Sequence, residues 1–430
     1  MACVALTGAL AASADVATAA PEPPSQQRGG RPAPTEPTGR GASMAAMQSG
    51  RLGCGTVITR STTLTADIGP CAGNGVIVGA DRIMLNLNGH TISGSAGPGS
   101  GNDAGIRLPN RTGVRITGHP GSSGRRRGTV TGFDAGVVVN GGSGNTVENL
   151  DVRDNIGPLT SDSFLGDGIA VLNSARNEIV NNVVSHNGVF DGIAVLGLGS
   201  NDNLIRGNRI EDTVGLEGNR SAEGLGVIVS HFFDQPTGTG ESMYRNSVVD
   251  NVVERNFGSG ISNVSNVNGV ITGNTVKDNA SRVYGDVEAF FDGSIIATGI
   301  GVSAGLRVTT RTTAVLVSNN FVSGNGFIGI QVRSSGNRIE ENRAMSNGLF
   351  GIVVEDLSLN NEILRNDTAD NGLIDLIDAN VNQDGEYACD NNNWFGNTWG
   401  ETSALALSFG LTTAYYSACT ATGGSGPNAP

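Results

Sequence analysis

Polar markers, usually asparagine, recur five residues apart in sets of two or three, and an apolar strand-like segment follows most sets. Asn177, Asn182 and Asn187 form one full set, which the segment GIAV follows. The other sets contain Asn145 and Asn155, Asn203 and Asn208, Asn246 to Asn256, Asn274 and Asn279, Asn320 and Asn325, Asn337 to Asn347, and Asn361 to Asn371. From the last marker of one set to the last of the next, the shortest steps are 22 to 24 residues. A fixed period in this range predicts a solenoid.

The length of the repeat unit predicts the fold class. A unit of 22 to 24 residues is too short for two helices and their turns, and its apolar positions alternate as they do in strands. We therefore predict an all-β chain in which each unit is one coil of a single-stranded parallel β-helix. In the coil that begins at Asn177, Ile179 and Val184 are expected to point inward, while Asn182 and Asn187 occupy corners.

Corner asparagines have a physical role in such a stack. Like residues of adjacent coils lie about 4.8 Å apart, so their side chains are expected to hydrogen-bond to one another along the stack. Asparagine also tolerates the left-handed backbone conformation that tight bends require. A leucine-rich repeat has a similar length, but it requires a regular run of leucines and a helix-forming half, and the sequence has neither.

Charge and hydropathy narrow the range of partners. The 430 residues carry a formal net charge of −13, which argues against binding to nucleic acid. No segment reaches 18 consecutive apolar residues, so we expect no membrane span. A solenoid grows by stacking, so one β-helix can account for most of the chain, and we expect a monomer.

The chain divides into segments by composition. Residues 1–20 are rich in alanine and end in a small-x-small pattern, so we predict a signal peptide and secretion to the extracellular space or the cell surface. Residues 21–50 are predicted to be a flexible linker rich in proline and glycine. The other predicted segments are the β-helix over 51–385, a C-terminal cap over 386–420 and a disordered tail over 421–430.

Four cysteines lie near the two ends of the repeat region. They allow three pairings, and proximity along the chain favours disulfides between Cys54 and Cys71 and between Cys389 and Cys419. Disulfides would be consistent with an oxidising compartment. A zinc site is not expected, because no CxxC motif or matched histidine pair accompanies these cysteines.

Several motifs match a known group of proteins. The consensus NxIxxNxxxxNGxxGIxV recurs along the chain, and the segment from Gly79 to Ile92 reads GADRIMLNLNGHTI. The other matching segments are Cys54–Gly55, Leu64–Asp67, Cys71 and Cys389–Asn397. On these motifs, residues 51–420 resemble right-handed parallel β-helix proteins of the pectate-lyase-like group, particularly the NosD-like branch. The resemblance implies a right-handed coil, and because the group includes lyases, hydrolases, epimerases and adhesins, it leaves several activities open.

The catalytic signatures of that group are not carried over. The sequence has no NTD, no adjacent pair of aspartates and no GHG, so the acid pair of the polygalacturonases is missing. Val189–Asp191 matches the YGxDPH pattern of alginate epimerases only in part, and the RxPxxR pattern of pectate lyases does not occur. Any activity must therefore depend on other residues.

A column of acidic residues is the first candidate site. Aligned by their inward strands, Asp167, Asp191 and Glu223 fall at one height on three successive coils, and Ser259 and Thr298 continue the column. Stacked carboxylates raise one another's pKa, bind calcium, or act as the acid and base of a glycosidase. All three are therefore candidate catalytic residues and candidate calcium ligands, and no other cofactor is expected. The alternative is that an aspartate before glycine serves only to form a turn.

Long insertions lie beside this column. From the corner position to the inward strand most coils need five or six residues, whereas Asn155 to Ile169, Thr213 to Leu225 and Asn279 to Ile300 need 14, 12 and 21. A fourth insertion, over about residues 231–243, leaves from the opposite end of its strand. Together these loops are expected to wall a groove for an extended sugar. The alternative is that long loops are tolerated without any function.

Single residues near the column and in the insertions are further candidates. His186 is close to Asp191 in sequence and is a candidate general base, with an exposed turn histidine as the alternative. Aromatic rings in the insertions are candidates for stacking on sugars, or are hydrophobic anchors of their loops. The candidate substrate-binding residues are Arg220, which would contact a substrate carboxylate, and His231, Phe232, Asp234 and Tyr284.

These features lead to two main functional hypotheses and a weaker third. The first is a secreted protein that binds or degrades an extracellular polysaccharide or a cell-surface glycan, as a hydrolase or a lyase, in a groove lined by the acidic column. The second is a non-catalytic binding scaffold at the cell surface or in the matrix. The third is the periplasmic copper-related role that the NosD resemblance implies. It is disfavoured because copper prefers clustered ligands, and the four histidines are scattered.

Overall fold

The computed structural model describes residues 52–95, 103–119, 126–157, 166–215, 224–231, 242–280, 298–303, 312–355, 357–380 and 391–400. Within these ranges the regular secondary structure is entirely β. Among the described residues, no helix is long and apolar enough to cross a membrane.

Each coil contributes one strand to each of three parallel sheets of 12 strands, which we call sheets A, B and C in the order in which the chain enters them. Sheet A contains β1 (Thr56–Ile58), β4 (Val76–Val78), β7 (Ala104–Thr112), β10 (Ala135–Ser143), β13 (Ile169–Leu172), β16 (Asp191–Leu196), β19 (Leu225–Ser230), β23 (Ile261–Val264), β27 (Thr298–Ser303), β30 (Ile328–Arg333), β33 (Phe350–Val354) and β36 (Ile374–Asp378). Sheet B contains β2 (Thr62–Thr63), β5 (Met84–Asn86), β8 (Arg115–Thr117), β11 (Thr146–Glu148), β14 (Glu178–Val180), β17 (Leu204–Arg206), β21 (Ser247–Val249), β25 (Val270–Thr272), β28 (Leu316–Ser318), β31 (Arg338–Glu340), β34 (Glu362–Leu364) and β37 (Asn393–Phe395). Sheet C contains β3 (Ile68–Cys71), β6 (Thr91–Gly94), β9 (Gly128–Thr131), β12 (Leu150–Arg153), β15 (Val183–Ser185), β18 (Arg209–Glu211), β22 (Val252–Glu254), β26 (Thr275–Lys277), β29 (Phe321–Ser323), β32 (Arg343–Met345), β35 (Asp367–Ala369) and β38 (Thr398–Trp399). A small two-stranded sheet joins β20 (Met243–Tyr244) and β24 (Asn266–Val267).

Each strand pairs in parallel with the strand one coil away. Ile179 in sheet B pairs with Val147 on one side and Ile205 on the other, and all three side chains fill the interior of the coil. Val184 in sheet C is likewise fully buried there. The predicted all-β, parallel β-helix is therefore confirmed. Ile179 and Val184 point inward, as the alternation of apolar residues predicts.

The corner asparagines hydrogen-bond along the stack, as predicted. The Nδ2 atom and the backbone N–H of Asn182 both donate to Oδ1 of Asn208, at 3.0 and 2.9 Å. A second donor bond from Nδ2 reaches the carbonyl oxygen of Val147 at 3.0 Å. The ladder between sheets B and C consists of Asn182, Asn208, Asn251, Asn274, Asn320, Asn342, Asn366 and Asn397. These buried amides therefore have the partners that burial requires.

The left-handed conformation falls one residue earlier than predicted. Asn181 and His186 have φ angles of 55° and 53°, and each directly precedes a ladder asparagine. The asparagine itself must direct both its N–H and its side chain at the next coil, so the exposed residue before it makes the bend. The expectation that the corner asparagines adopt this conformation is corrected accordingly.

The first and last described coils lie near the predicted boundaries of the repeat. The predicted disulfide between Cys54 and Cys71 is present, with a Cα–Cα distance of 5.4 Å. Cys389 and Cys419 lie outside the described residues. At the C-terminal end, β37 and β38 add strands to sheets B and C, so the repeat extends beyond residue 385.

Replacing Asn274 by alanine tests the contribution of the ladder to stability. Its Oδ1 accepts two hydrogen bonds from Asn251, and its Nδ2 donates to Asn320 and to the carbonyl oxygen of Val248. Because alanine leaves these buried groups without partners, we expect the free energy of unfolding to fall by on the order of 2 to 4 kcal/mol. Guanidinium unfolding followed by circular dichroism measures the change.

Asn140→Ala is the matched control, because Asn140 is an exposed residue of a strand in sheet A. We expect it to change the free energy of unfolding by less than about 0.5 kcal/mol. Equal losses in the two variants would contradict a special role of the buried ladder.

Candidate functional site

Asp167 and Asp191 lie where the chain enters sheet A on two successive coils. Ile169 pairs with Ile193, so each aspartate stands two residues before a paired isoleucine. The backbone N–H of Asp191 donates to Oδ1 of Asp167 at 3.1 Å. Two of the three predicted members of the acidic column are therefore neighbours.

The third predicted member is not in this register. Leu225, not Glu223, pairs with Asp191. On the other side, the pairing of β10 with β13 places Ala135 beside Asp167. The column therefore holds two aspartates between two apolar residues, and Glu223 itself lies outside the described residues.

The column lies on the outer face of sheet A. Leu225 packs with Leu196 and Ile228 in a small apolar cluster that is separate from the interior core. The interior core instead contains Ile193 and Val195, the inward residues of β16. Since Asp191 pairs with Leu225, its side chain shares this outer face.

Both aspartates are nevertheless buried. The exposed fraction is 2% for Asp167 and 7% for Asp191. Burial raises the pKa of Asp167 to about 7, although the hydrogen bond from the backbone of Asp191 favours the charged form. A carboxyl group with this pKa is close to half protonated at neutral pH, as a general acid requires. A ligand reaches it only if the residues that cover it move.

Two further aspartates lie at the same corner of the coil and were not found from the sequence. Asp103 and Asp134 are 5% and 1% exposed, and each directly precedes an alanine of the column. The backbone N–H of Asp134 donates to Oδ1 of Asp103 at 3.0 Å, and the N–H of Asp103 donates to Oδ2 of Asp134 at 3.3 Å. The repeated sequence Asp-Ala-Gly was the available signal. With Asp167 and Asp191, these residues give four successive coils a buried aspartate at this corner.

The other predicted site residues are not gathered around the pair. His186 is exposed in the turn after β15, and its backbone N–H donates to the carbonyl oxygen of Glu211. His231 directly follows β19 and so lies at the opposite edge of sheet A from Asp191. Arg220, Glu223, Phe232, Asp234 and Tyr284 lie outside the described residues, and their roles stay predictions.

Long connections leave both edges of sheet A. Before the sheet they comprise residues 154–168, 212–224 and 278–297, and after it residues 231–246 and 304–315. The last of these was not found from the sequence. From β14 onward, by contrast, every described turn from sheet B to sheet C has two residues. The irregular parts of the middle coils are thus confined to the borders of one face.

Metal binding stays a prediction for this region. Among the described residues, no group of three or more histidine, cysteine, aspartate or glutamate side chains is placed to hold a metal ion. Calcium takes six to eight oxygen ligands, which the Asp167 and Asp191 carboxylates do not supply alone. The predicted calcium site therefore depends on Glu223 or on other residues outside the described ranges.

Comparison with protein-family models identifies the type of β-helix. The family model described as Right handed beta helix region matches residues 74–302, more than half of the chain. No curated protein sequence matches the chain. Membership of the NosD-like branch stays a prediction.

Three solved structures are similar to the chain at low sequence identity. A GH136 lacto-N-biosidase from Eubacterium ramulus has 14% identity and a TM-score of 0.43; the match covers 76% of this chain and 58% of that chain. The A-module of the mannuronan C-5 epimerase AlgE6 from Azotobacter vinelandii has 11% identity, a TM-score of 0.47 and coverage of 82% and 89%. An alginate lyase from Paenibacillus sp. str. FPU-7 has 13% identity, a TM-score of 0.41 and coverage of 76% and 90%. The chain thus spans less than two thirds of the lacto-N-biosidase, and such similarities say nothing about substrate or reaction.

The raised pKa of Asp167 predicts how stability depends on pH. Its carboxyl stays protonated in the folded protein up to about pH 7, but in the unfolded chain it ionises near 3.8. The protonated carboxyl group therefore makes its full contribution to stability below about pH 4, and this contribution is lost as the pH rises through 7. Asparagine cannot ionise and keeps an oxygen for the Asp191 N–H. We expect Asp167→Asn to raise the free energy of unfolding at pH 8 by on the order of 4 kcal/mol, and by little at pH 4.

Thermal denaturation of both proteins at pH 4, 6 and 8 measures this difference. Asp278→Asn is the matched control, because Asp278 is an exposed aspartate in a left-handed turn that asparagine also accepts. The stability difference between Asp167→Asn and the original protein should grow with pH. If it does not, burial of the ionised Asp167 carboxylate does not destabilise the folded protein.

Proposed function

The chain belongs to the right-handed β-helix family, and from that premise we propose that it binds an extracellular polysaccharide along the outer face of sheet A. The observation that carries the proposal is the placement of the long connections at both edges of this face. A straight face between two rows of loops suits a long, extended ligand better than a compact one. A protein that only binds the polysaccharide is the non-catalytic scaffold, and this form of the function requires no catalytic residues.

The chemistry of the face supports a sugar ligand. Leu196, Leu225 and Ile228 form an apolar cluster, and Ser259 and Thr298 follow on the next two coils, with their hydroxyl oxygens 3.3 Å apart. Sugars present both apolar C–H surfaces and hydroxyl groups, and binding sites for them combine both kinds of contact. Because these side chains are buried, a ligand contacts them only after the residues that cover them move.

Degradation of the bound glycan is the second candidate function, and the pKa of Asp167 favours it. A carboxyl group with a pKa of about 7 can donate a proton to a leaving group near neutral pH. Asp191 is one coil away, about 4.8 Å along the axis, a separation similar to that of the two carboxyl groups in retaining glycosidases. In this proposal Asp167 is the acid and Asp191 the nucleophile or base, and substrate binding uncovers both.

Secretion is part of the same proposal. The disulfide between Cys54 and Cys71 supports an oxidising compartment, and the alanine-rich residues 1–20 support export. A net charge of −13 supports a partner other than nucleic acid.

Affinity electrophoresis of the full chain in gels that contain single polysaccharides, with and without calcium, tests the proposal. We expect at least one polysaccharide of a panel of neutral and uronic polymers to retard the protein. Reducing-end release and the ultraviolet absorbance of unsaturated products then distinguish hydrolysis from elimination. Failure of every polymer to bind would overturn the proposed function.

Asp167→Asn and Asp191→Asn separate binding from cleavage. If the glycan is cleaved, we expect either variant to lose about 100-fold or more in rate while it binds within about twofold of the original protein. The rate of the original protein should fall as the pH rises through 7, because the acid must be protonated. Asp250→Asn is the control, because Asp250 is an exposed aspartate in a left-handed turn between sheets B and C. Cleavage that survives in both active-site variants would remove the acidic pair from the mechanism.

A further inference from the structure

A second polar cluster lies on the outer face of sheet A, four coils beyond Asp191. Gln331 and Arg333 alternate along β30 with two residues that fill the interior core, so both polar side chains point outward. Glu355 directly follows β33, which pairs in register with β30, and so it stands beside Arg333. Four coil steps correspond to about 19 Å along the axis, and the cluster lies at the opposite edge of sheet A from Asp191, so one extended glycan reaches both only if it crosses the face diagonally.

Arg333 and Gln331 both contact the carboxylate of Glu355. Nε of Arg333 lies 2.8 Å from Oε2 of Glu355, and Nε2 of Gln331 donates to Oε1 of Glu355. A guanidinium group has five N–H donors and a carboxylate has about four acceptor positions, more than these contacts use. The cluster therefore offers donors and acceptors side by side.

Arg333 is the least exposed arginine among the ion pairs of the described residues. The Arg333 and Glu355 side chains are 25% and 12% exposed, whereas Arg338 on sheet B and Arg365 in the turn after β34 are 45% and 48% exposed. An ion pair that is partly withdrawn from water loses in desolvation much of what it gains in attraction. Stability therefore does not explain the placement. Unlike Asp167, which is 2% exposed, the pair also reaches solvent.

We infer that Arg333, Glu355 and Gln331 form a subsite for adjacent hydroxyl groups of a neutral glycan. The inference rests on the proposed binding of a polysaccharide to this face and adds the class of sugar. Arg333 donates to hydroxyl oxygens, and Glu355 accepts from hydroxyl hydrogens, so both charged groups keep partners when the ligand displaces water.

Charge determines the choice of a neutral sugar over a uronic acid. The positive charge of Arg333 is compensated by Glu355, so the cluster has no excess charge for a carboxylate. The whole chain has a net charge of −13. Because the whole chain is acidic, a polymer of uronic acids would meet like charge at long range.

Equilibrium binding of the full chain to neutral glucans, mannans and galactans, and to alginate and polygalacturonate, tests the inference. We expect at least one neutral polymer to bind at least about tenfold more tightly than either polyuronate. Arg333→Ala with Glu355→Ala removes both charges together and should weaken neutral binding about tenfold or more, since each lost hydrogen bond involves a charged group. The matched control is Arg338→Ala with Glu362→Ala, an ion pair with a 2.8 Å contact on sheet B of the same two coils, and its effect should stay within about twofold.

The outcomes separate the inference from the proposed function. If the Arg333 and Glu355 double variant binds neutral glycan like the original protein, or if a polyuronate binds best, the subsite is overturned while polysaccharide binding stands. If no polymer binds at all, both fail. Circular dichroism checks that the double variant is folded. Should it not fold, Glu355→Gln keeps the shape of the side chain, and the inference requires it to weaken neutral binding several-fold.

Discussion

Buried amide hydrogen bonds at the coil corners are the interaction on which the rest of the structure depends. Each bend of a coil turns backbone N–H and C=O groups away from the regular sheet ladders, and buried groups of this kind need partners. Asn320 shows how they are provided. Its Oδ1 accepts from the backbone N–H and the Nδ2 of Asn274, and its Nδ2 donates to Asn342 and to the carbonyl oxygen of Ile271. One side chain thus ties its own coil to the coil on each side.

These fixed corners explain how a regular stack carries irregular loops. The long connections into sheet A begin after the corner residues Asn155, Thr213 and Asn279, which keep their places in the stack. Asn155 and Asn279 still donate to the asparagines of the next coil, at 2.9 and 3.0 Å. The insertions after Asn155 and Asn279 therefore leave the ladder in place, whereas at Thr213 only the backbone N–H donates to the next asparagine, Asn256. Length and composition can vary at the borders of sheet A while the spacing of the coils beneath stays constant.

The sequence predicts the features that repeat from coil to coil. It does not predict positions that depend on an insertion or on a contact between two coils. The period, the inward residues, the ladders and the first disulfide follow from spacing alone. Glu223 was aligned wrongly because Leu225 and Val227 are both apolar and two residues apart, so either fits the inward position; only the strand pairing settles the choice. Arg333 and Glu355 were missed for a related reason. They lie on different coils, and an outward charged residue at a strand end looks ordinary until its neighbour is known.

The ladders also have a direction. Wherever one ladder asparagine donates its side-chain N–H to another, the acceptor lies on the C-terminal coil, so these amide dipoles point the same way. Two ladders end on a carboxylate: Asn371 Nδ2 donates to Asp375 at 2.6 Å, and Asn392 Nδ2 donates to Asp378 at 3.1 Å. Burial raises the pKa of both aspartates, and these same donors oppose the rise by stabilising the charged forms. Acidic side chains therefore meet the positive ends of the amide columns, as they do at the first turn of an α-helix.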